Sequence, residues 1–220
     1  MYFSAKFKHL DRKTYVIENK FDIRSYLVDL ITKAKDPELW PRPDHTETVK
    51  ALLARANQAA RSESVSENIS AIFIYHQLLT QALIFLADNA AFYQQILSFP
   101  RPVFPIDIQK KTSLSKAIGS ISQTIWFQNK ECAIAEAKKV NEIRNRLAHE
   151  LPAKFNSENV HTDTGRVAEI MGLFMFISLE GYGDIRDQLM KYLTDPDWPD
   201  HELEITDDGG RILGKLGELI

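Results

Sequence analysis

The stretch "NEIRNRLAHEL", residues 141–151, sets two arginines, an asparagine and a histidine among helix-forming neighbours, just before Pro152. These residue types suit the handling of a phosphate ester. A guanidinium stays charged and offers paired donors to phosphate oxygens. An imidazole titrates near neutral pH and can serve as base or acid. Chemistry on a phosphate ester needs groups to take and give protons and positive charge on the phosphate. On a continuous helix five residues turn the chain about 500°, so Arg144 and His149 stand roughly 140° apart. A lone protomer also brings a single histidine in this stretch, and two copies about a twofold axis would bring two. The same residues also make sense structurally. Glu142 and Arg146 are spaced for a surface pair, Arg146 reaches Glu150, and Ile143 and Leu147 supply a buried stripe. His149 would then interact with the carbonyl end of the helix.

The arrangement Arg144-Asn145-x-x-x-His149, at the end of a long helix in an all-helical chain, resembles the signature of the HEPN superfamily. That signature is an arginine, commonly a polar residue after it, and a histidine four to six positions beyond the arginine. The wider phrase "IRNRLAHE" is similar to wording in mannitol-repressor-like proteins. The resemblance covers about a dozen residues, supported by helix order over roughly 65–195. It implies an all-α, HEPN-like bundle with long antiparallel helices, acting as a dimer in metal-independent RNA cleavage. Arg144 would bind the phosphate, His149 would handle protons, and Asn145 would orient one or the other. The corresponding expectations are a toxin or stress-response role, RNA as substrate, no cofactor, and a cognate antitoxin or other protein as partner. The alternative is a non-catalytic regulatory or scaffolding protein of the mannitol-repressor kind, with a role in transcription regulation and a structural or ligand-binding motif.

Other chemistry is thinly represented. No GxSxG, HExxH, phosphate-loop or dinucleotide fingerprint occurs. His149 and His161 have no carboxylate at a ligand spacing, so no metal site is expected. Cys132 is the only cysteine, which rules out an intramolecular disulfide, and its helical surroundings predict a small buried residue. The opening "MYFSAKFKHLDRK" has early charges and no apolar run of leader length, so a cytoplasmic location is expected. The net charge of −3 is uneven: residues 101–154 hold ten Lys/Arg against five Asp/Glu, whereas 195–220 hold two against eight. That distribution predicts a basic central surface suited to a polyanion, and an acidic tail that could fold back over Lys138, Lys139 and Arg144.

Helical periodicity dominates the elements that must position these residues. "DIRSYLVDLITKAK" and "TETVKALLARANQAA" predict two helices within an N-terminal extension over 1–62. An HEPN-like core over 63–195 opens with a long apolar helix capped by Ser64 or Ser66. No charge occurs from Asn68 to Ala87, a length that could span a bilayer. However, His76, Gln77, Thr80 and Gln81 form a polar stripe, which favours a buried core helix and no membrane partner. His76 itself reads as a hydrogen-bonded interior or interface residue. "SLSKAIGSISQTIWF" and the motif segment predict two helices, or one broken near Gln128-Asn129. Asp163 or Thr164 should start the next, and "GYGD" at 181–184 should break it. The apolar "IMGLFMFI" predicts core or a homodimer interface, formed with residues 130–150. The tail over 196–220 carries a possible short helix in "RILGKLGELI".

Overall fold

The computed structural model describes residues 23–42, 46–97, 113–150 and 156–194, together with the backbone of 202–203 and 214–215. The protein is all-α. Six helices run in the order α1 (Ile23–Lys35), α2 (Thr46–Ala60), α3 (Val65–Leu97), α4 (Leu114–Ser122), α5 (Lys130–Glu150) and α6 (Ser157–Leu193). A short 3₁₀ turn at Pro37–Leu39 follows α1, where Asp36 accepts a hydrogen bond from the Glu38 amide. Glu202–Leu203 pairs antiparallel with Gly214–Lys215. The helix expected over 211–220 is therefore interrupted at 214–215, where glycine accommodates extended backbone.

The two long helices α3 and α6 form the spine, and the others pack around them. α3 is long and apolar enough to cross a membrane by length and composition. Among the described residues it packs against α1, α2, α4, α5 and α6. Tyr75, Leu79, Leu83 and Leu86 are fully buried along it. A helix apolar on nearly every side needs partners on nearly every side. Its start is fixed by Asn68, a buried amide whose Nδ2 donates to the carbonyls of Ser62 (2.6 Å) and Ser64 (2.9 Å). Ala56 and Ala59 of α2, and Leu30, Ile31 and Ala34 of α1, belong to the same core.

α6 differs from expectation at both points where the sequence suggested a boundary. It begins at Ser157, not at Asp163 or Thr164, with the Asn156 side chain accepting from the Glu158 amide. An asparagine cap satisfies an amide that has no partner within the helix. It also continues through Gly181 and Gly183 to Leu193. Local propensity disfavours glycine inside a helix by about 1 kcal/mol, and packing overrides it here. A Cβ on Gly181 would stand 3.0 Å from two ring carbons of Phe127 and 3.2 Å from the Gln128 carbonyl. Gly181 is the recess that receives the turn between α4 and α5.

That turn is also held by polar contacts. The Gln128 amide donates to Asp184 (2.7 Å), and Asn129 Nδ2 donates to Glu180 (2.6 Å). Asn129 adopts a left-handed φ of 63°, a region that asparagine tolerates better than most residues. It is the last residue before α5, where a break was expected near Gln128-Asn129; the interruption is longer than expected, because α4 already ends at Ser122. Lys130 is buried, and its ammonium donates to the carbonyl of Thr124 (2.7 Å) and to that of Ile125 (3.3 Å). These contacts fix the start of α5, and the rigid helix carries that register to Arg144. Cys132, expected inside, is exposed in the first turns of α5, because Ala133, Ile134 and Ala137 take the core positions.

Two glycines of α6, one packed and one open, make a direct comparison. Gly181→Ala should destabilise the fold by about 1–3 kcal/mol through overpacking against Phe127. Gly172→Ala meets nothing within 4 Å and should be neutral or stabilising, by up to about 1 kcal/mol from helix propensity. Urea unfolding of the two variants checks the contrast, and equal destabilisation would contradict it.

Candidate functional site: a cationic cavity between α3, α4 and α5

A cavity of about 480 Å³ lies where the polar stripe of α3 meets α4 and α5. α3 contributes Phe73, His76, Gln77 and Thr80; α4 and its cap contribute Ser113, Leu114 and Ser115; α5 contributes Asn141, Arg144 and Asn145. Among the described residues Arg144 is the only charged one in this lining, and none of them brings a carboxylate to it. The stripe on α3 now has its explanation: it is the wall of a polar cavity inside an otherwise apolar packing.

Arg144 is partly buried. Its Nη1 donates to Asn145 Oδ1 at 3.1 Å, and its guanidinium carbon lies 5.6 Å from the centre of the Phe73 ring. The ring face favours the cation and fixes the plane of the fork. Its Nε is buried and has no hydrogen-bond partner among the described residues. A buried donor left unpaired costs about 1–3 kcal/mol unless something accepts from it.

His76 stands in the same cavity. Burial holds its imidazole below the ordinary value, the nearby Arg144 charge acts in the same direction, and a hydrogen bond with Asn141 opposes both. Asn141 Nδ2 donates to Ser115 Oγ at 3.2 Å, so this amide links the histidine on α3 to the first turn of α4. Ser113 caps α4 by accepting from the Lys116 amide at 3.4 Å. The positive end of that helix therefore opens on the same space.

The structure separates the three residues of the sequence motif. Arg144 and Asn145 line the cavity, whereas His149 is exposed and does not. α5 remains helical through Glu150, so nothing turns His149 back toward Arg144, and the roughly 140° offset of a regular helix stands. Arg146, expected to pair with Glu142 and Glu150, binds Asp163 of α6 with both carboxylate oxygens in reach, the longer contact being 2.6 Å. Its partner is mostly buried, with 13% of the side chain exposed. The early start of α6 places Asp163 there. The expected contact of the acidic tail with Lys138, Lys139 and Arg144 lies outside the described residues.

Among the described residues no group of three histidine, cysteine or acidic side chains is gathered as a metal would require. His76, Asn141, Ser113 and Ser115 are site residues that the motif did not name. The signal for His76 was present as a polar stripe on an apolar helix. Nothing in the local sequence pointed to Ser113 or Ser115. Comparison with known families, with curated proteins and with solved structures returned no match. Fold and site thus define an all-α protein whose described residues form six helices around a cavity that Arg144 lines with a positive charge.

The imidazole of His76 should titrate below pH 6.5 in a histidine NMR experiment. Arg144→Met should raise that midpoint by removing the neighbouring charge, and Asn141→Ala should lower it by removing the acceptor. Because the folded-state value is depressed, the neutral form is favoured on folding. The stability tied to it is present above the unfolded value and falls as pH drops through 6.5 toward the folded value. A midpoint at or above 6.5, or one indifferent to Arg144, would contradict this description.

Proposed function

We propose that this protein is a dimeric, metal-independent endoribonuclease of the HEPN type, in which Arg144 binds the scissile phosphate and His149 handles protons. The observation that carries the reading is the division of labour between two neighbouring arginines. Arg146 is engaged with Asp163 and ties α5 to α6. Arg144 faces a cavity, with a buried Nε that has no partner among the described residues. A guanidinium so placed can bind phosphate oxygens through two donors and stabilise charge that grows in the transition state. His149 stands on the exposed side of α5, accessible to a second protomer, and Asn145 lies between it and Arg144 around the helix.

The dimer would form through α6. Gly172, Phe176, Leu179, Gly183 and Met190 recur at spacings of four, three, four and seven along one side of it. Phe176 is 60% and Leu179 65% exposed, with Leu173 beside them. Gly172 and Gly183 have open space where a Cβ would stand. Apolar knobs alternating with bare backbone at heptad spacing suit the same face of a second copy.

The alternative reading, a regulatory module that binds a small ligand, is favoured by one observation. The cavity is complete within a single protomer, and its volume falls in the range of small-molecule sites. In that case Arg144 would hold the ligand without cleaving anything.

The test is cleavage of a mixed RNA substrate in the presence of chelator. His149→Ala should reduce the rate about 10²–10⁴-fold with helicity and mass intact, as for loss of a general acid–base group. Arg144→Lys should also fail substantially, because an ammonium keeps the charge and loses the paired donors. Arg146→Lys should leave the rate close to the starting value. Cleavage that survives without His149, or equal effects at 144 and 146, would contradict the ribonuclease reading. Light scattering tests the dimer: Phe176→Glu with Leu179→Glu should halve the mass, and a starting protein that is strictly monomeric would remove the dimeric mechanism.

A further inference from the structure

We propose that the cavity between α3, α4 and α5 is a phosphomonoester site, in which Arg144 binds the dianion and His76 takes up a proton as it binds. The proposal shares with the reading above only that Arg144 binds a phosphate; it goes beyond that reading in assigning the cavity a terminal phosphate in place of the RNA diester.

Three features select an anion. Among the described residues the lining holds one fixed positive charge and no carboxylate. Its other polar groups include two serines, two asparagines, Gln77 and the amide end of α4, all able to donate. The buried Nε of Arg144 has no acceptor among the described residues. Two features select a doubly charged group. His76 shares the cavity with Arg144 and can add a second positive charge when an anion offsets the first. A phosphodiester brings one negative charge, whereas a terminal phosphate brings nearly two at neutral pH. The cavity of about 480 Å³ exceeds what a bare phosphate fills, so the phosphate comes with an organic group attached.

The groups that face His76 are few. From α5 the charged one is Arg144, with Asn141 and Asn145 neutral; from α4 come Ser113 and Ser115, both neutral; on α3 itself Gln77 and Thr80 are neutral. Thr80 is occupied by its own helix, donating to the His76 carbonyl at 2.7 Å. α2, α6 and α1 place no described residue in the lining. Proton uptake on anion binding is therefore assigned to His76.

Isothermal titration calorimetry on the full chain tests this with three probes: sulfate, uridine 3′-monophosphate and the dinucleoside monophosphate UpU. Sulfate does not titrate between pH 5.5 and 8, so any proton taken up on its binding comes from the protein. Sulfate should bind more tightly as pH falls across this range, with proton uptake revealed by buffers of different ionisation enthalpy. His76→Gln should abolish both the pH dependence and the uptake. Arg144→Gln should weaken every probe by about tenfold or more, the effect of losing hydrogen bonds to a charged partner. If that variant loses helicity, Arg144→Lys carries the same test with a smaller loss. Uridine 3′-monophosphate should bind at least several-fold more tightly than UpU.

Sulfate binding that ignores Arg144, or keeps its pH dependence in His76→Gln, would overturn the proposal. So would equal affinity for the diester and the monoester, which would assign the cavity to an RNA backbone. These readouts do not depend on turnover. A protein that binds the monoester as described and cleaves no RNA sustains this site and refutes the ribonuclease reading.

Discussion

The seating of Phe127 on the bare backbone of Gly181 is the contact on which the functional side of the molecule depends. Phe127 is fully buried, and no side chain larger than hydrogen leaves room for it on α6. Interiors are close-packed, so a displaced ring cannot be absorbed by nearby voids. The turn it anchors is pinned further by Asp184, Glu180 and the buried ammonium of Lys130. Because α5 is a rigid helix beginning at that turn, its register is set there and read out fourteen residues later at Arg144. At its far end Arg146 and Asp163 hold the same helix to α6 again. A mostly buried carboxylate held at both oxygens by one guanidinium nitrogen contributes orientation more surely than net stability. Both ends of α5 are thus referenced to one long helix, and the cavity wall lies between them.

Much of the helical plan was legible in the sequence, because amphipathic periodicity is a local property. The extent of α3, the capping region near Ser64 and the break at Gln128-Asn129 all followed from residue pattern. The continuity of α6 did not. Glycine at 181 and 183 reads as a breaker until its packing partner is known, and that partner is more than fifty positions away in Phe127. Cys132 shows the same limit. Its helix is amphipathic overall, but which flank meets the core depends on how α5 sits against α3 and α6.

The site was half legible for the same reason. Arg144 and Asn145 stand out as a motif, and the structure does place them together on a cavity wall. His149 shares the motif but not the wall, since a regular helix carries it round toward solvent. His76 is distant in sequence and was visible only as part of a polar stripe. The stripe signalled that one side of α3 met something polar; three-dimensional contact was needed to say that it met an arginine. Arg146 was read incompletely. Spacing along the helix pointed to Glu142 and Glu150, and could not show that Asp163 of α6 also reaches it.

The central claim is that Arg144 faces an anion site that His76 shares. Crystals soaked in selenate, a tetrahedral dianion with a usable anomalous signal, test it most directly. The account predicts an anomalous peak inside the cavity, within hydrogen-bond distance of the Arg144 guanidinium and of the His76 ring. A cavity without a peak at saturating selenate, while exposed lysines elsewhere collect the ion, would contradict it.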